Sequence, residues 1–126
     1  MINFVKSVSY IKKTMLSSEE YFQIKILKDK NVVRYYNTKS ANVLDNPIIK
    51  EIDNNILKEF LDQLFRIIDG WENEYINSNF LDGTEWQLEI KYQDNEVIYY
   101  SGKNDFPDNF EYLDRLKYKL LNDCNK

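Results

Sequence analysis

The chain has 126 residues, 43% hydrophobic and 15% aromatic, and a net charge of −4, so it is long enough to bury one core and too short for two. It contains no histidine and a single cysteine, Cys124. That excludes an internal disulfide framework and a zinc site made of Cys and His, and leaves Cys124 as a free thiol. No run of 18 apolar residues occurs, and MINFVKSVSYIKK lacks the apolar core and cleavage site of a signal peptide. The expectation is one cytoplasmic domain over residues 1–126 that needs no cofactor and no membrane.

Fifteen Asn, 14 Lys and 13 Ile stand against one Ala and three Arg. Their codons are AT-rich, which points to an AT-rich bacterial or phage genome.

FVKSVSYI, residues 4–11, is suited to a strand, with Phe4, Lys6, Val8 and Tyr10 on one side. Phe22, Ile24 and Ile26 then alternate with Tyr21, Gln23, Lys25 and Leu27, Lys28-Asp29-Lys30-Asn31 makes a turn, and Val32 to Tyr36 returns as a third strand. Asp45-Asn46-Pro47 supplies a capping residue and a proline that gives up no needed N–H. Behind it, Ile48, Ile52, Ile56, Phe60, Leu64, Ile67, Trp71 and Tyr75 form one apolar row and Ile49, Leu57, Leu61, Phe65 and Ile68 another. So wide a stripe predicts a long central helix from Pro47 to about Tyr75, with Gly70 a candidate for an earlier end.

Asp82-Gly83 is a turn, and TEWQLEIKY carries the clearest alternation in the chain, with Trp86, Leu88, Ile90 and Tyr92 against Glu85, Gln87, Glu89 and Lys91. Gln93 to Glu96 turns the chain into VIYYS. The segment YYSGKNDFPDNFEYL reads either as a binding loop or as architecture. Architecture explains it better: Gly102 permits a strand exit, and Asp108 with Glu111 spells a capping box for a helix whose apolar row is Phe110, Leu113, Leu116 and Leu120. The predicted fold is α+β, in the order βββ-α-ββ-α, with an antiparallel sheet packed on the long helix.

Two resemblances accompany these residues. Asp82-Gly83, Trp86, Leu88, Ile90, Tyr92, Ser101-Gly102, Asn104, Phe106-Pro107 and Phe110, within residues 82–113, resemble a pattern in small uncharacterised domains of AT-rich bacteria and mobile elements. That likeness implies a strand, turn and helix, and no activity. Residues 6–26, beginning Lys6-Ser7-Val8-Ser9-Tyr10-Ile11, are similar to the start of a phage-borne anti-CRISPR protein that inhibits a CRISPR effector nuclease.

Catalysis is poorly supplied, because the usual general base near neutral pH is missing. Asp105 with Asp108, or Glu72 with Glu74, has the spacing of an acid and base or of Mg²⁺ ligands, but such pairs are common on solvated surfaces. Three glycines, Gly70, Gly83 and Gly102, write no phosphate-cradling loop. The expectation is a protein that is not an enzyme and holds no metal.

Charge says more. Residues 1–39 carry a net +5 and residues 40–126 a net −9. Glu72, Glu74, Asp82 and Glu85 cluster in sequence around Trp71, Tyr75 and Trp86, with Asp105 and Asp108 on the last turn. A face of that kind is able to occupy a basic nucleic-acid channel on another protein, such as a CRISPR effector nuclease or a toxin. Its bland counterpart is a solvated rim that keeps the protein soluble. The alternative partner is nucleic acid itself, held by Lys12, Lys13, Lys25, Lys28, Lys30 and Arg34 with Tyr35 and Tyr36, where the bland reading is lysine guarding strand edges.

Overall fold

The computed structural model describes residues 4–14, 18–38, 48–77 and 83–124. In chain order these form β1 (Val5–Thr14), β2 (Ser18–Ile26), β3 (Asn31–Thr38), β4 (Ile48–Ile52), α1 (Asn54–Ile68), β5 (Glu74–Ile76), β6 (Thr84–Tyr92), β7 (Val97–Lys103) and α2 (Phe110–Cys124). The strands make one sheet in the order β4-β3-β2-β1-β6-β7-β5. Every pairing is antiparallel except that of β5 with β7, which is parallel.

The period-2 patterns decide which face is covered. Phe22 and Ile24 of β2 and Trp86, Leu88, Ile90 and Tyr92 of β6 are buried, while Lys25 and Gln87, on the opposite parity, are exposed. Phe22 meets Phe60 of α1 at 5.9 Å between ring centroids, and Tyr10 meets Phe110 of α2 at 6.3 Å. Both helices therefore cover the same face, and among the described residues no helix packs on the other, the open face. Leu57, Phe60, Leu61 and Leu64 line the covered side of α1, each stabilising the fold by about 1.5–3 kcal/mol through leaving water.

The α+β class is as expected, but the order and the long helix are not. Residues 48–52, expected as the first turns of the helix, are edge strand β4, with Ile48 and Ile49 exposed and Ile52 buried. Asp45-Asn46-Pro47 lies outside the described residues, and the cap is Asp53, whose Oδ1 accepts from the N–H of Ile56 at 2.8 Å. At the other end Gly70 takes φ +83° beyond the last turn, so Tyr75 belongs to β5 and the sheet is mixed. In β1 the register shifts between Val5 and Ser7. That irregularity puts Val5 inside with Val8 and Tyr10 and leaves Phe4 and Lys6 exposed. The expected capping box is also replaced: α2 starts at Phe110, and Glu111 pairs forward with Arg115 at 3.6 Å. Among the described residues, no helix is long and apolar enough to cross a membrane.

Candidate functional site

The segment after β7 is architecture, and it builds the floor of the acidic end. A Cβ on Gly102 would stand 2.0 Å from Trp86 Nε1 and 2.5 Å from the carbonyl oxygen of Asp105. Those two atoms are themselves hydrogen-bonded, the indole donating at 2.9 Å. Asn104 takes φ 58°, in the left-handed region, and its Oδ1 accepts from the N–H of Thr84 at 2.9 Å, in the space a side chain on Gly83 would need. Phe106 and Phe110 lie 6.4 and 4.8 Å from the Trp86 ring. Trp71 donates from Nε1 to Asn109 Oδ1 at 2.7 Å, and Asn109 Nδ2 donates to the carbonyl of Ile67 at 2.9 Å. Trp86, at 1% exposure, and half-buried Trp71 are therefore core.

Above this floor the structure brings two of the predicted acids, Glu74 and Glu85, to one groove. The ladders place Glu74 opposite Ser101 and Glu85 opposite Lys103. With Ile76 and Tyr99 these line a groove of about 180 Å³ on the open face. Glu72, Glu74 and Glu85 are exposed, and the ion pair from Glu85 to Lys103 is a loose 4.0 Å, worth little at the surface. Ile76 and Tyr99 are 57% and 40% exposed, so this groove has apolar contact area within reach of its acids. Tyr75 turns inward, 6.1 Å from Trp86, and its hydroxyl accepts from the N–H of Glu72 at 2.9 Å. Asp105 is half-buried and its Oδ1 accepts from the N–H of Phe106 at 2.9 Å, whereas Asp108 is exposed before α2. Asp82 lies outside the described residues. No three Asp, Glu or Cys side chains converge as metal ligands among the described residues.

The basic set divides. Lys12 faces the helices, 3.7 Å from Asp114, and Tyr35 does too, donating to Glu20 Oε2 at 2.9 Å. Lys13, Lys25 and Arg34 are exposed on the open face. There Tyr36 stacks on Tyr21, with centroids 5.1 Å apart and planes 17° apart, on adjacent strands where the register sets them opposite. Lys28 is exposed in the turn, and Lys30 is 3.8 Å from Glu51.

One cluster was missed by the sequence reading. Lys117, 1% exposed, donates to Glu20 Oε1 and, at 3.2 Å, to Asp114 Oδ1. Tyr118 donates to Glu20 Oε2 at 3.1 Å, and Tyr10 to Asp114 Oδ1 at 3.3 Å. Burial first, and then the carboxylates of Asp114 and Glu20, hold the Tyr10 phenol far above its ordinary range; burial and Glu20 do the same to Tyr35. A polar cavity of about 180 Å³ beside the cluster is lined in part by Lys12, Asn37 and Asp114, and Asn37 Oδ1 is buried with no hydrogen bond among the described residues. A signal existed in the sequence: Glu20 shares strand parity with Phe22 and Ile24, and Lys117 falls four residues after Leu113 and three before Leu120, inside the apolar row.

The chain matches no protein-family model and no curated protein.

Proposed function

We propose that the protein is a non-enzymatic binding module whose acidic sheet edge covers a basic, nucleic-acid-binding site on another protein, as an anti-CRISPR or toxin-immunity inhibitor does. A CRISPR effector nuclease and a toxin are partners of the required chemistry. One observation carries the reading: exposed Glu74 and Glu85 line a groove whose walls include exposed Ile76 and Tyr99, and Glu72 is exposed in the chain two residues before Glu74. Acids give steering and association rate, and the apolar pair gives contact area at the centre of the patch. The indole cluster beneath pre-organises the edge, which lowers the ordering cost of binding.

The test is capture on immobilised protein from a lysate of the encoding organism, divided into nuclease-treated and untreated halves. One protein held in both halves, released by salt, and able to lose its own nucleic acid to the module supports occlusion. Capture that vanishes after nuclease treatment contradicts it.

A second reading has its own observation, the Tyr21–Tyr36 stack beside Arg34 and Lys25 on the open face. Stacked aromatics among cations suit single-stranded nucleic acid. It predicts a shift of labelled oligonucleotides at low ionic strength that fades with salt and is lost on Tyr21→Ala/Tyr36→Ala. No shift at low salt removes it.

A further inference from the structure

We propose that the groove between α1 and α2 binds a small amphiphilic anion, a carboxylate carried on an aliphatic or aromatic body. This site lies on the helical layer, away from the open sheet face, and does not depend on the acidic edge. Arg66 and Ile67 reach it from the last turns of α1, and Tyr112, Arg115, Leu116 and Lys119 from α2. Spacings of three, four and seven residues put those four α2 side chains on one helix face.

The volume is about 300 Å³, the lower end of what small-molecule sites enclose. Its floor is apolar, with buried Leu116 and half-buried Ile67, and Tyr112 stands 50% exposed beside it. Its rim is cationic, with three positive side chains and no carboxylate among the lining residues. A chain with 14 lysines and only three arginines places two of those arginines here. Guanidinium groups bind carboxylates in a planar, two-pronged way that lysine does not reproduce.

The cations are available. Arg115 stands over the Tyr112 ring at 5.5 Å and pairs with Glu111 at 3.6 Å, both side chains more than 60% exposed. Lys119 pairs with Glu59 at 3.1 Å, again in solvent. Exposed pairs of this kind are weak and readily exchanged for a better anion. Arg66 has no ion pair among the described residues. Its place in the last turn of α1 also suits the helix dipole, but that role needs neither the groove nor Arg115. An anion held by Arg66 and Arg115 would lay its apolar body along Ile67, Leu116 and the Tyr112 ring.

The test is an amide NMR titration of the intact chain with decanoate, against acetate, which lacks the body, and decan-1-ol, which lacks the charge. The expected result is saturable decanoate binding with shifts centred on Ile67, Tyr112 and Leu116, and weaker binding of both controls. Arg66→Gln/Arg115→Gln should raise the Kd about tenfold or more, as loss of charge-assisted hydrogen bonds does. The same charge removed on the open face, in Lys25→Gln/Arg34→Gln, should leave it unchanged. Decan-1-ol binding as well as decanoate, equal losses in both double variants, or no saturable shift would each overturn the proposal.

Discussion

The first turn of α2 and its middle are fastened to the same sheet by opposite chemistry. At Phe110 the contact is rings on rings, with Trp86, Trp71 and Phe106 within 4.8 to 6.1 Å, closed over a glycine that leaves no room for a methyl group. Two turns later it is charge on charge, with Lys117 between Glu20 and Asp114 and three tyrosine hydroxyls donating to the same carboxylates. The aromatic lock is fitted by shape, and it shares the Tyr10 ring, 6.3 Å from Phe110, with the ionic cluster. The ionic lock stabilises only while both signs are present, because a buried charge without its counterpart costs more than the pair contributes. The difference teaches where this fold is tolerant and where it is not.

Breaking the ionic lock on one side gives the largest expected effect. Lys117→Met should destabilise the protein by about 3–5 kcal/mol, by stranding the Glu20 carboxylate, and Lys117→Met/Glu20→Met should recover more than half of that in urea unfolding. No recovery in the double variant would mean that the pair acts as packing and the comparison of the two locks fails. Next is the aromatic lock, where Gly102→Ala should cost about 1–3 kcal/mol, since Trp86 and the Asp105 carbonyl cannot both retreat from a new methyl group. An unchanged urea midpoint would show the lock to be loose.

Alkaline pH separates the two locks with a smaller effect. The Tyr10 and Tyr35 phenols stay protonated in the fold well above their ordinary value, whereas in the unfolded chain they ionise near about pH 10. Their contribution is complete below that pH and is lost as pH rises beyond it, because the unfolded state then releases protons that the fold retains. Stability should therefore fall above about pH 10, with a shallower fall in Tyr10→Phe. Equal slopes for the two proteins would contradict the assignment.

The part of the aromatic lock between Trp86 and Phe110 was legible because each piece carries a local rule, whereas Trp71, 38 residues before its partner Asn109, was read into a helix that ends at Ile68. TEWQLEIKY alternates over its whole length, and Gly102 and Pro107 mark a strand exit and a helix entry. The ionic lock joins residues 97 apart, and no local rule pairs Glu20 with Lys117, although each stood at a position that its own pattern marked as buried. The helix start was misread because Ile48, Ile49, Ile52 and Ile56 fit both a helical stripe and a buried strand, and β4 turned out to be a strand. β5 has three residues, too few to display any period. Of the site, the exposure of Glu72, Glu74 and Glu85 was readable from charge. The inward turn of Tyr75 depends on the parallel pairing with β7, and the contacts of Ile76 and Tyr99 depend on that register too.

The most direct test of the central claim compares capture by the wild-type protein and by Glu72→Lys/Glu74→Lys/Glu85→Lys, side by side from nuclease-treated lysate at two salt concentrations. The account predicts that the variant keeps the wild-type urea midpoint, since all three side chains are exposed, and loses a partner that the wild type holds at low salt and releases at high salt. A folded variant that captures the same partner with the same salt dependence would contradict the acidic edge as the working surface.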